Sequence, residues 1–221
     1  KKSLEEAHEK ALAASRAKDD FLAALSHELR TPLNPVLLMA SEAAGDSQFT
    51  PDIRGLFETI RNGVELEARL IDDLLDVTRI THGKLSLNLQ NVDCHTILHA
   101  ALLTVQSDIE QKNLKLTGEL EADRRWIKGD AVRLQQVFWN ILKNAAKFTP
   151  EGGEISVRTE SDHKTGELRI FISDTGIGLN EHEISGIFEA FSQGEHSSSS
   201  GKHRFGGLGL GLAISKMLVE Q

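Results

Sequence analysis

Three stretches in the second half of this sequence gather polar residues and glycines at spacings that suit a bound ligand. In NILKNAAKF, Asn140, Asn144 and Lys147 fall at i, i+4 and i+7, so two amides and an ammonium share one helical face. Val137, Phe138, Ile141 and Leu142 fill the rest of that helix. A polar outer face accounts for the three residues taken alone. Magnesium and phosphate binding accounts for them equally, because Mg2+ takes oxygen ligands and an Asn carbonyl can hold it while phosphates supply the negative charge. In DTGIGL, directly after LRIFIS, Asp174 at a strand end can accept a hydrogen bond from an exocyclic amine. Gly176 and Gly178 there let the backbone approach a flat ring. In GGLGLGLAISK, Gly206, Gly207, Gly209 and Gly211 lead into a helix whose first N–H groups suit phosphate oxygens. The spacing is neither the GxxxxGK[ST] of a Walker loop nor the GxGxxG of a dinucleotide fold.

A fourth stretch, FLAALSHELRTPLNPV (21–36), is an odd helix. Leu22, Leu25, Leu29, Pro32, Val36 and Met39 form its apolar stripe, and His27 lies on the opposite face beside Glu28. Pro32 and Pro35 remove the N–H groups that would bond the carbonyls of Glu28 and Thr31, which loosens the helix beside the histidine. A lone helical histidine is usually a plain surface residue.

The elements that must position these residues have two different periods. Residues 1–83 read as helix throughout, apart from a break near GDSQFTPD (45–52). Leu4, Ala7, Ala11, Ala14, Lys18, Phe21 and Leu25 fit a coiled-coil seam. Ile53, Leu56, Ile60, Val64, Leu70, Leu74 and Val77 mark a second helix, closed by the glycine of THGK (81–84). A helical hairpin with two apolar stripes has little core of its own, and pairing two hairpins as a four-helix bundle solves this. After Gly83, LSLNLQNVD alternates like a strand and 94–112 is helical. NLKLTGEL and RWIKGD read as short strands, followed by a helix through AVRLQQVFWNILKNAAKF. GGEISVRTES and ELRIFISD form a hairpin turning near HKTG; a short helix near 181–188 and a final helix from about 208 follow. This pattern predicts an α/β sandwich with one sheet covered on one face.

Composition narrows the classes. The chain has 221 residues, 39% apolar and 26% charged, and a net charge of −8, which argues against nucleic acid as a partner. A single cysteine, Cys94, forms no intrachain disulfide, and no Cys/His spacing indicates zinc. No apolar run has the length of a membrane span and no signal peptide is visible, so the segment reads as cytoplasmic and without membrane contact. The full-length protein could be membrane-anchored or soluble. The opening residues join a helical pattern already under way, as expected of a piece cut from a longer chain.

In this order and spacing, the three stretches resemble the N box and the two glycine boxes of the GHKL ATPase fold shared by sensor histidine kinases, type II topoisomerases and certain chaperones. IFEAFSQ (187–193) resembles the kinases' phenylalanine box through Phe188 and Phe191, and SHELRTPL resembles their H box. The resemblance spans essentially the whole chain. It implies a signalling coiled-coil helix over 1–20 and a dimerisation and histidine phosphotransfer hairpin over 21–83, forming a dimeric four-helix bundle. It also implies an ATP-binding α/β two-layer sandwich over 84–221, truncated at its C-terminal end because the family pattern continues into further strands.

It further implies ATP and Mg2+ as cofactors, with Asn144 on the metal. ATP itself would be held by Asn140, Asn144, Lys147, Asp174, Gly176, Gly178, Phe188, Phe191, Gly207, Gly209 and Gly211. A lid, GEHSSSSGKHRF, would offer Lys202 or Arg204 to the γ-phosphate, although an ordinary loop accounts for its serines as well. His27 would be the nucleophile, with Glu28 accepting its proton. Thr31, one turn on and on nearly the same face, would orient a water that hydrolyses the phosphorylated partner; its simpler role is a helix residue before proline. The expected partners are a second copy of the chain and the receiver domain of a response regulator, on the same or a separate chain. An ATPase that makes no phosphohistidine is disfavoured by the intact H box. A non-catalytic scaffold, or one acting mainly as a phosphatase, is disfavoured by Asn144, Asp174 and the glycines.

Overall fold

Proline does not end the first helix. In the computed structural model, which describes residues 24–25, 28–192 and 208–221, helix α1 runs unbroken over 28–45 through Pro32 and Pro35. The turn after it opens where GDSQFTPD breaks the apolar pattern. Thr50 then caps helix α2, Pro51–Thr81, with Pro51 at a first-turn position where its missing N–H removes nothing. Gly83, at φ +64, ends α2. Its N–H donates to Ile80 O at 2.9 Å, and that of Lys84 to Arg79 O at 2.9 Å, a Schellman closure. The two helices belong to one compact unit, Lys1–Leu85, and Arg30 of α1 forms an ion pair with Asp72 of α2. The expected coiled-coil helix over 1–20 lies outside the described residues.

The second unit, Ser86–Gln221, has its own core. Its order is β1 (Gln90–Asp93), α3 (Cys94–Gln111), β2 (Lys115–Leu120), β3 (Trp126–Gly129), α4 (Ala131–Phe148), β4 (Glu154–Asp162), β5 (Glu167–Asp174), α5 (Glu181–Gly186) and α6 (Gly211–Val219). Asp93 caps α3 by accepting from His95 N–H at 3.0 Å, and Asp130 caps α4 by accepting from the N–H groups of Val132 and Arg133. Leu98, Val105, Leu142, Ile155, Val157, Leu210 and Ile214 are fully buried. They come from α3, α4, α6 with the residue before it, and the inner face of β4, whose alternation follows the strand period.

The strands form two hydrogen-bonded groups among the described residues, not the single sheet that the pattern predicts. β1 pairs antiparallel with β3, while β2 pairs parallel with β4 and β4 antiparallel with β5. β1 is also shorter than LSLNLQNVD implies. Its partner β3 has four residues, so the alternating residues before Gln90 have no strand to pair with. The final helix begins at Gly211, later than expected, because Gly209 at φ +71 leaves the helical region.

Candidate functional site

Helix α4 is the wall on which the separate stretches meet. At its C-terminal end, Phe148 O accepts from Ile177 N–H at 3.3 Å, which holds the DTGIG loop against the last turn. The same loop is tied to the start of β4, where Glu154 N–H donates to Thr175 Oγ1 at 2.9 Å. Asp174 Oδ1 accepts from Gly176 N–H at 2.9 Å, and the residue stays exposed at the end of β5. A Cβ on Gly176 would lie 2.5 Å from that Oδ1 and 2.9 Å from Phe148 O. Close packing on α4 therefore requires this glycine. Gly178, at φ +69, turns the chain away in a conformation that other residues seldom adopt.

Eight residues earlier on α4, Asn140 is buried and its amide donates to Gly211 O at 3.1 Å and Ser215 Oγ at 3.2 Å. Asn140 thus joins α4 to the first turn of α6, a structural tie that its place on a shared polar face did not disclose. Asn144 and Lys147 lie between these two anchor points and are half-buried. Burial holds the Lys147 ammonium below the usual lysine range, and it stands 4.7 Å over the Phe148 ring. Between the loop's anchor at Phe148 and the α6 anchor at Asn140, the helix rises about 12 Å, a span of nucleotide size.

The entry to α6 is shaped by another close contact. A Cβ on Gly209 would lie 2.3 Å from Ser192 O, so glycine lets 208–210 lie against the end of the phenylalanine stretch. Among the described residues no side chain caps α6, and the first N–H groups of a helix are donors of the kind that suits an anion. Phe188 and Phe191 are exposed; Phe191 takes φ +66, and Lys216 of α6 sits 5.5 Å over the Phe188 ring. Lys202, Arg204 and Gly207 lie outside the described residues, as does His27. Glu28 and Thr31 are exposed on α1. Cys94 is buried, and burial pushes its thiol up to about 11, so it stays protonated and belongs to the core. Among the described residues no helix is long and apolar enough to cross a membrane.

Two family matches agree with this layout. Residues 17–83 match the His Kinase A (phospho-acceptor) domain, and residues 129–221 match the histidine kinase-, DNA gyrase B- and HSP90-like ATPase. The chain carries the two domains of the sensor histidine kinase catalytic core. It is 38% identical over 221 residues to the sensor histidine kinase GacS of Pseudomonas protegens, covering 99% of this chain and 24% of that protein. It is 35% identical over 222 residues to the signal transduction histidine-protein kinase BarA of Escherichia coli, with the same coverage of 99% and 24%. The chain thus spans about a quarter of the length of these relatives. Among solved structures, full-length ShkA in complex with AMPPNP superposes with a TM-score of 0.70 at 31% identity, over 91% of this chain and 40% of that one.

Proposed function

We propose that this chain binds Mg-ATP in its second unit and transfers the γ-phosphoryl group to His27. The observation that carries the reading is that the DTGIG loop and the start of α6 are both tied to α4, in a chain that also holds SHELRTPL. Asp174 has one oxygen engaged by Gly176 N–H. Its other oxygen accepts from the exocyclic amine of adenine, while Gly176 and Gly178 pass close to the ring. The uncapped start of α6, with Gly207, Gly209 and Gly211, receives phosphate oxygens, and Lys147, Lys202 and Arg204 offset their charge. Phe188 and Phe191 border the nucleotide, and Asn140 acts by holding α6 in place.

Asn144 supplies a carbonyl oxygen for Mg2+, which when bound neutralises phosphate charge. Glu28 accepts the proton from one ring nitrogen of His27, leaving the other as the nucleophile. The new N–P bond forms as the bond from the γ-phosphorus to the leaving ADP oxygen breaks.

The phosphoryl group then passes to an aspartate of a response-regulator receiver domain, and Thr31 orients the water that later hydrolyses it there. The hairpin works as a homodimer, a reading supported by Leu29, Val36, Met39, Leu56 and Ile60, all exposed on the single chain. Incubation with γ-labelled ATP and Mg2+ should leave acid-labile label on the protein, and His27→Gln should remove it while keeping ATP binding. Label retained on that variant would mean another residue is the acceptor. Thr31→Ala should keep autophosphorylation and slow dephosphorylation of the receiver.

A further inference from the structure

The residue that holds the C-terminal end of α4 in place is not on α4. Lys112 follows the last residue of α3, where Asn113 at φ +49 and the Leu114 N–H to Ile109 O bond of 2.9 Å turn the chain toward β2. From there its ammonium donates to three carbonyls at the end of α4: Ala146 O at 2.8 Å, Lys147 O at 2.7 Å and Thr149 O at 3.0 Å. A helix ends in carbonyls that lack intrahelical donors, and its dipole favours a cation there. Lys112 supplies three N–H donors and the charge together. Its backbone continues the clasp: Lys112 O accepts from Gly152 N–H at 3.0 Å, and Lys115 N–H donates to Gly153 O at 2.8 Å. The side chain is half-buried, and its desolvation holds the ammonium below the usual lysine range despite nearby Asp108.

The carbonyls on either side of Phe148 O are thus held by Lys112, while Phe148 O itself receives the Ile177 amide of the DTGIG loop. We propose that Lys112 is a positioning residue of the nucleotide site, fixing the last turn of α4 so that the Asp174 loop is presented to the base. It touches no nucleotide and acts through the Phe148–Ile177 hydrogen bond. The inference rests on the nucleotide reading of this site. It predicts that removing the ammonium loosens the loop even though every residue of the loop is intact.

The test compares Lys112→Met with Lys143→Met. The second removes another lysine contact between α3 and α4, the ion pair with Asp108 at 2.6 Å, and leaves the clasp alone. Affinity for a non-hydrolysable ATP analogue would be measured by calorimetry well below the melting temperature, and amide exchange at Ile177 by NMR. Lys112→Met should bind about tenfold more weakly, the size of one charged hydrogen bond lost, with faster exchange at Ile177. Lys143→Met should match the unsubstituted chain in both, and Lys112→Arg should recover most of the affinity. Should Lys112→Met fail to fold by circular dichroism, Lys112→Gln, which keeps a donor for one carbonyl, takes its place with the same expectation. Unchanged affinity and unchanged Ile177 exchange on loss of the ammonium would overturn this inference alone. Absence of binding by the unsubstituted chain would overturn the nucleotide reading, and this inference with it.

Discussion

The two units solve the problem of burial in opposite ways. In Ser86–Gln221, residues such as Leu98, Leu142 and Ile214 have no exposure at all, because strands and helices of the same chain cover them. In the hairpin, Ala40, Leu75 and Ile80 are the buried apolar residues among those described, while Leu56 and Met39 each remain 66% exposed. Both regions carry regular apolar stripes. One stripe finds its cover within the chain, and the other is left for something outside it. The nucleotide unit can therefore specify its own structure, whereas the hairpin leaves part of its specification to association.

Breaking the self-contained unit should have the largest effect. Leu142→Ala removes a fully buried side chain of α4 and should cost about 2–5 kcal/mol. Urea unfolding of Ser86–Gln221 should move accordingly, with ATP affinity falling in step, while the helical signal of the hairpin persists. The converse is Ile60→Asp, which places a charge on the exposed stripe. Sedimentation velocity should show loss of the dimer, and calorimetry an unchanged ATP affinity. If both changed together, the two units would not be energetically separate.

A smaller effect is expected from Asp73 in α2. Burial first, then the charges of Asp76 and Asp72, push its carboxyl up to about 6, against the lowering influence of Arg69. The folded protein therefore binds more protons than the unfolded chain between roughly pH 4 and 6, so stability falls as pH rises through that window and the penalty is complete above it. Asp73→Asn should stabilise the protein at pH 7 by about 1 kcal/mol, once solvent screening is allowed for, and should do nothing at pH 4. Thermal melts at the two pH values would check the sign. The smallest effect belongs to Asp72→Ala, which breaks the ion pair with Arg30. Both side chains are largely exposed, so the loss should be about 0.5 kcal/mol and should vanish in high salt.

Much of this architecture was legible because local signals agreed with the tertiary outcome. The span of α4 follows from Asp130 at its start and Thr149–Pro150 at its end, and β5 follows from the alternation of ELRIFISD. What escaped were partnerships between distant residues. Asn140 sits in the same periodic row as Asn144 and Lys147, and only the arrival of α6 shows that its amide is already engaged. The sequence offers Gly176 as an approach to a flat ring, and only the fold adds that Phe148 O leaves no room there for a side chain. Lys112 gave no signal beyond a lysine closing the helix read over 94–112. Strand grouping was equally hidden, since periodicity says which face a residue occupies but not which strand lies alongside.

The parallel pairing of β2 with β4 has a consequence for the order of assembly. β4 and β5 are joined by a tight turn and can pair early, but β2 reaches β4 only after β3 and the whole of α4 have been placed between them. Long-range pairing of this kind is slow, because the chain must close a large loop before any contact rewards it. The clasp around Lys112 lies at the start of that same ladder, where Lys115 N–H meets Gly153 O. The Asp174 loop can thus exist as the end of a hairpin well before the wall it leans on is fixed. During refolding, secondary structure should return first, and competence to bind nucleotide should arrive with the last and least local step.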